Sequence, residues 1–123
     1  MIQLPDGFRL AKIASYQSDF PKRQKMGAAI VRKGGKVISV AHNIMSTHPR
    51  FPQLWSRHAE LNAIILAQCD IIGTEIYVYR ETYNRLPAMA KPCDTCFAYI
   101  VESGITKIYY TTGTGNFFET IEI

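Results

Sequence analysis

Two short apolar runs, Gly27 to Arg32 and Val37 to Ala41, flank Lys33-Gly34-Gly35-Lys36. Paired glycines supply the positive φ of a tight turn, so this stretch reads as an antiparallel hairpin. Upstream, Leu10, Ile13, Ala14 and Gln17 recur at helical spacing until Phe20-Pro21, which predicts a first helix from about Gly7 to Ser18. Downstream, Leu61, Ile64, Ile65 and Gln68 share one side of a helix from His58 to Gln68. Thr74 to Arg80 reads as a third strand, Cys93 to Ser103 as a third helix stopped by Gly104, and Ile105 to Thr111 as a fourth strand. Phe117 to Ile121 reads as a fifth. Ile44 to Arg57 and Glu81 to Lys91 are long loops, a length that goes with function or mobility. This order implies an α/β fold with helices on a mixed sheet of about five strands. Thr112 to Ile123 are too few for a parallel crossover, which needs about a dozen residues before the next strand begins. The last strand is therefore expected to run antiparallel to the fourth, through Gly113-Thr114-Gly115.

With 123 residues, 47% hydrophobic and 20% charged, the chain is expected to form a single domain, 1–123, around one core. The hydrophobic fraction excludes a disordered chain. No apolar run approaches the roughly 20 residues of a membrane helix. Met1 to Leu10 carries Asp6 and Arg9 and lacks the apolar stretch of a signal peptide. A soluble, cytoplasmic protein without a membrane partner is expected. The net charge of +4 fits either plain solubility or an anionic partner such as a nucleotide or nucleic acid. Three cysteines, an odd number, argue against a disulfide framework and leave metal ligation, catalysis or burial.

Chemistry concentrates at two helix starts. Pro92-Cys93-Asp94-Thr95-Cys96 sets two thiols on one helix face, where the positive end of the helix favours thiolates. Proline suits that junction. Two readings stand. A redox pair of the thioredoxin kind also has C-x-x-C at a helix start but follows a strand closely, whereas the loop before this one has 11 residues. A metal pair needs further ligands, and His58 is available 35 positions upstream of Cys93. His58-Ala59-Glu60 opens the second helix, and helix N-termini at one end of an α/β sheet are where such sites assemble. One histidine and two thiolates leave one position of a tetrahedral zinc open, the catalytic pattern, whereas four protein ligands make a structural site. Cys69 lies roughly 16 Å along the helix from His58. It is expected to be a small buried or half-buried residue rather than a fourth ligand. In a regular helix His58 and Glu60 diverge by about 200°, so both reach one metal only if His58 sits at or before the first turn.

His-Ala-Glu followed by Pro-Cys-x-x-Cys resembles the cytidine and deoxycytidylate deaminase superfamily. The resemblance runs from about Met26 to Thr112 and takes in Gly27-Ala28-Ala29-Ile30-Val31, Asn43 after the second strand, and Gly104 to Tyr110. It implies a three-layer fold with helices on both faces of the sheet. It implies that His58, Cys93 and Cys96 hold Zn2+, which brings the pKa of water toward 7. Glu60 would be the catalytic proton shuttle in a hydrolysis that releases ammonia from cytosine. Backbone of Ala59 and around Pro92 would touch the base, and Asn43 the sugar. The implied substrate is a small cytosine nucleoside or nucleotide: cytidine, deoxycytidine or deoxycytidine monophosphate. Leu61-Asn62-Ala63 resembles the deoxycytidylate version. An antiparallel last strand resembles the free-cytidine deaminases, whereas deoxycytidylate, tRNA adenosine and polynucleotide cytosine deaminases usually add a helix after strand four and a parallel fifth strand. Lys91 stands where many relatives carry glutamate or serine. Small relatives assemble as dimers or tetramers, so a homodimer or homotetramer is expected.

Other residues carry paired readings. Arg50 and Arg57 are candidates for binding a 5′-phosphate, against solvated loop charges. Phe51, Trp55 and Tyr83 either stack a base or cover a core edge or an oligomer contact. His42 and His48, on either side of Asn43, read first as solvated polar residues. In Tyr109-Tyr110, strand alternation sends one ring inward. Lys22, Arg23 and Lys25 form a small basic cluster, which bears on an alternative in which the base lies in RNA or single-stranded DNA. A further alternative, a structural zinc module, requires four protein ligands and no role for Glu60.

Overall fold

Gly34 and Gly35 both adopt positive φ, near 99° and 98°, and turn β1 (Met26–Val31) into β2 (Val37–His42). The two strands pair antiparallel, with Ala28 opposite Ala41, as the glycine pair predicts. The computed structural model describes residues 4–21, 24–46, 48–50, 56–82 and 84–123. Lys22, Arg23, Phe51, Trp55 and Tyr83, named above, lie outside the described residues. The other elements are α1 (Gly7–Ser15), α2 (Ala59–Ala67), β3 (Glu75–Arg80), α3 (Asp94–Glu102), β4 (Lys107–Thr111) and β5 (Phe118–Glu122).

The five strands form one sheet in the order β2-β1-β3-β4-β5. β3 runs antiparallel to β1 and parallel to β4, and α3 makes the crossover between the parallel pair. β5 runs antiparallel to β4, with Tyr109 opposite Thr120, as expected. The first helix is shorter than its periodicity suggests. After Ser15, Tyr16, Gln17 and Ser18 donate their N–H groups three residues back, to Ile13, Ala14 and Ser15, so the helix tightens into turns before Pro21. β4 starts two residues later than expected, and the Thr106 N–H donates to the Thr74 carbonyl at 2.9 Å outside the ladder.

Strand alternation sorts the sheet's side chains onto two faces. Ala28, Ile30, Ile76, Val78, Ile108 and Tyr110 meet Leu61, Ile64, Cys96 and Ile100 of α2 and α3. On the other face, Ala29 and Tyr79 meet Phe8 and Ala11 of α1, with Tyr77 and Tyr109 at the edge. Tyr77 and Tyr109 stack at 4.2 Å, and Phe8 meets Tyr77 edge-on at 5.2 Å. Adjacent tyrosines 109 and 110 therefore serve opposite layers. Each fully buried isoleucine or leucine contributes roughly 1.5–3 kcal/mol. Gly27 sets the distance between α1 and the sheet: a Cβ there would fall 1.8 Å from the Ala11 carbonyl oxygen.

Candidate zinc centre and active site

α2 is apolar on nearly every side, and its two polar residues, Glu60 and Asn62, are both buried. A helix that turns its polar groups inward is organised around something other than solvent. Asn62 donates from Nδ2 to the His42 carbonyl at 3.0 Å, which ties the start of α2 to the end of β2. His58 is the residue before the helix, in extended conformation at φ −69° and ψ 149°. Leaving the helical path there removes the angular conflict with Glu60.

Cys93 occupies the same position before α3, with φ −67° and ψ 167°. Neither His58 nor Cys93 caps its own helix through its side chain. Both side chains instead turn toward Cys96, in the first turn of α3. His58 Nδ1 lies 3.0 Å from Cys96 Sγ and 3.9 Å from Cys93 Sγ, and the three atoms fall within 4.8 Å of one another. All three cysteines of the chain are free thiols.

The donor set fits zinc. One imidazole nitrogen and two sulfurs are borderline-soft ligands, and their separations suit three corners of a tetrahedron with bonds of about 2.0–2.3 Å. Burial lowers the pKa of His58, which favours the neutral imidazole that ligates. Burial, then the charges of Glu60 and Cys93, push the Cys96 thiol far up, so a thiolate there calls for a cation beside it. No other His, Cys, Asp or Glu joins the cluster among the described residues, and the undescribed positions hold none of these types. Cys69 is exposed rather than buried or half-buried, because Gln68 turns left-handed at φ 52° and ends α2 before it. Three ligands rather than four speak against the structural zinc module.

Glu60 is only 2% exposed, and its Oε1 has no hydrogen-bond partner among the described residues. Burial raises its pKa from 4.5 to about 7, opposed by its own backbone N–H. A buried polar atom without a partner is costly unless its function uses it.

A cavity of about 320 Å³ opens beside His58, lined among others by Asn43, Arg80, Ala90 and Lys91. Asn43 reaches it with a side chain already engaged. Oδ1 accepts from Met26 N–H at 2.9 Å, and Nδ2 donates to the Gln24 carbonyl at 2.7 Å. Asn43 thus pins the start of β1 to the end of β2. Ala59 and Pro92 are both buried, next to His58 and Cys93 in the chain. Arg50 is exposed, and neither it nor Arg57 is among the described residues lining the cavity. Arg57 exchanges two backbone hydrogen bonds of 2.9 Å with Ile44. His48 accepts from the Arg50 N–H, and His42 Nδ1 lies 3.1 Å from the Asn43 carbonyl. Arg80 and the loop residues before Lys91 escaped the sequence reading. The available signal was parity along β3, which puts Arg80 on the same face as Ile76 and Val78.

No helix among the described residues is long and apolar enough to cross a membrane. The family model described as cytidine and deoxycytidylate deaminase zinc-binding region matches residues 4–112. An uncharacterized deaminase in the luxG 3′ region of Aliivibrio fischeri is 29% identical over 119 residues, covering 89% of this chain and 73% of that protein. A probable deoxycytidylate deaminase of Caenorhabditis elegans is 28% identical, covering 83% of this chain and 53% of that protein. The deoxycytidylate deaminase of Saccharomyces cerevisiae is 31% identical, with 84% of this chain covered and 35% of the yeast protein. The chain thus spans about half and about a third of the two deoxycytidylate deaminases it matches. In fold it resembles the cytidine deaminase of Burkholderia pseudomallei, with a TM-score of 0.69 at 24% identity over 94% of this chain and 89% of that one. By the region matched and the ligand cluster within it, the chain belongs to the cytidine and deoxycytidylate deaminase family and carries its zinc-binding region.

Proposed function

We propose that the protein is a hydrolytic deaminase that converts a cytosine nucleoside or nucleotide to the uracil form and releases ammonia. The observation that carries this reading is a buried carboxylate, Glu60, two residues from the first ligand of a three-ligand zinc cluster. Zinc, when bound, acidifies water toward neutrality. Glu60 does the proton work. Its carboxylate takes a proton from the attacking water, delivers it to the ring nitrogen N3, and helps protonate the departing amino group. Burial raises the pKa of this carboxyl, and a zinc ion beside it would act in the opposite direction, so the two together hold a group that can both accept and release a proton. Oε1, which has no hydrogen-bond partner among the described residues, is available for these transfers.

The backbone beside Ala59 and Pro92 reads the base and its amino group, and Asn43 holds the sugar side of the cavity. Antiparallel β5 supports a small substrate, since that arrangement goes with the free-cytidine branch of the family. The names of two curated relatives support the deoxycytidylate branch. The protein works as a homodimer or homotetramer in the cytoplasm, where Cys93 and Cys96 stay reduced.

The test is ammonia release by the zinc-loaded protein from cytidine, deoxycytidine, their phosphates, adenosine, guanine and a cytosine-containing oligonucleotide. Turnover is expected on a free cytosine compound. Glu60→Ala should keep zinc and lose about 10²–10⁴-fold in kcat. A Glu60→Ala variant working at the parent rate overturns the mechanism, and preference for the oligonucleotide overturns the small-molecule reading.

A further inference from the structure

A second cavity, of about 250 Å³, opens at the end of α1. Among the described residues, Ser15, Tyr16, Lys25, Glu81 and Arg85 line it. It holds no zinc ligand, yet it lies close behind the zinc site. Gln24, Met26 and Arg80 line the cavity beside His58, and their sequence neighbours Lys25 and Glu81 line this one. Backbone at the start of β1 and the end of β3 is thus common to both, with successive side chains turned to opposite faces.

Glu81 is the buried charge of this second cavity, only 8% exposed. Its Oε2 accepts from two hydroxyls, that of Tyr16 at 3.1 Å and that of buried Tyr79. Two donors on one oxygen fix the carboxylate in a single orientation. Oε1 has no partner among the described residues, and the atom stays accessible. A carboxylate oxygen left unpaired in a largely buried setting is costly until a donor reaches it.

The two cations of the lining do not supply that donor, since neither forms an ion pair with Glu81. The Lys25 ammonium donates to the Ser18 carbonyl and keeps two further N–H groups. Arg85 is left-handed at φ 61°, an uncommon conformation for a residue with a Cβ. Its turn is closed by the Arg85 N–H on the Thr82 carbonyl at 3.0 Å and the Thr82 N–H on the Leu86 carbonyl at 2.8 Å. There its guanidinium lies over the Tyr16 ring, 5.6 Å from the centroid, and makes no hydrogen bond among the described residues.

We infer that this cavity binds a small zwitterion, a molecule with one ammonium and one carboxylate such as a neutral α-amino acid. The ligand ammonium donates to Glu81 Oε1, and its carboxylate accepts from Arg85 and Lys25. Charge decides between the ligand classes. A simple cation would meet Lys25 and Arg85 as like charges, and a simple anion would meet Glu81. A zwitterion leaves none of the three opposed. The volume, below the roughly 300–1,000 Å³ of drug-sized sites, suits a ligand of few heavy atoms. The site stands whether or not the zinc centre deaminates cytosine.

The experiment is calorimetric titration of the zinc-loaded protein. The probes are the neutral α-amino acids, β-alanine and γ-aminobutyrate, with propionate and propylammonium as single-charge controls. At least one zwitterion is expected to bind with a Kd below about 1 mM, and both controls about tenfold or more weakly than it. Glu81→Gln and Arg85→Gln should each weaken its binding about tenfold or more, as loss of a hydrogen bond to a charged group implies. Arg85→Gln leaves the tyrosine–carboxylate bonds in place, so it reads the site even if Glu81→Gln disturbs the fold. Lys33→Gln, which removes a positive charge from the β1–β2 turn, should leave the affinity unchanged. If no zwitterion binds below about 1 mM, or if either control binds as tightly, the inference is overturned. Affinity unchanged by Arg85→Gln also overturns it, and binding of that kind that disappears with the zinc places the probe on the metal.

Discussion

Replacing Glu60 by glutamine should stabilise the zinc-free protein at neutral and alkaline pH, and leave it almost unchanged in acid. Burial raises the Glu60 pKa from 4.5 to about 7. Below about pH 4.5 the carboxyl is protonated in both folded and unfolded chains, and it contributes no pH dependence. Between about 4.5 and 7 the unfolded chain has lost the proton while the folded one keeps it. The unfolded state thus binds fewer protons, and stability falls as pH rises, by about 1.36 kcal/mol for each pH unit. Above about 7 both states are ionised and the loss levels off at about 3 kcal/mol. Glutamine fills the same volume and never ionises. For a chain of this size the difference corresponds to a Tm gap on the order of 10 °C. The assay is thermal unfolding of parent and variant after chelation, from about pH 4 to 9, because a bound cation offsets the burial of the carboxylate. The gap should open between about pH 4.5 and 7 and then stay constant. Unfolding curves whose separation does not change with pH would refute the claim that burial penalises the ionised form.

Two further outcomes follow from the packing and the ligand set. Cys96→Ser should cut zinc from one ion per chain to well under half in elemental analysis after dialysis, because it removes one of three converging donors; full retention of zinc would rule Cys96 out as a ligand. Gly27→Ala should lower stability by about 3 kcal/mol or more, read as Cm in urea, since its Cβ meets α1 backbone at 1.8 Å and no side chain can rotate to relieve the clash; an unchanged Cm would show that α1 is not held against β1 as described.

The zinc cluster was legible because its chemistry is local. His58, Cys93 and Cys96 sit at helix starts that prolines and spacing announce, and Glu60 is tied to His58 by sequence proximity. The direction of β5 was legible from the short connection through Gly113-Thr114-Gly115, which is too few residues for a parallel crossover. The cavity's cations were not legible in the same way. Arg80 and Lys91 are eleven residues apart. They meet the same cavity only because residues 88–90 fold back onto Thr111, a contact between segments that no short window contains. Arg50 and Arg57 looked well placed by proximity to His58, but proximity along a loop does not fix where a side chain points. Asn43 lines the cavity, yet its amide is engaged with Gln24 and Met26 backbone, which only coordinates reveal. Cys69 looked like core because α2 is apolar. The left-handed Gln68 ended the helix one residue early and turned it outward.

The alternation along β3 gives the strand an unusual sensitivity to insertion. Ile76, Val78 and Arg80 face α2 and α3, whereas Tyr77, Tyr79 and Glu81 face α1. One residue added inside the strand would exchange the two sets. The tyrosines would crowd into an aliphatic layer, and Tyr79 would take the place of Arg80 at the cavity wall, removing the positive charge there. Substitutions along β3 can be compensated one at a time, but a single-codon indel alters core volume and substrate electrostatics together. Descendants of this chain should therefore vary in length between strands and hold β3 at constant length.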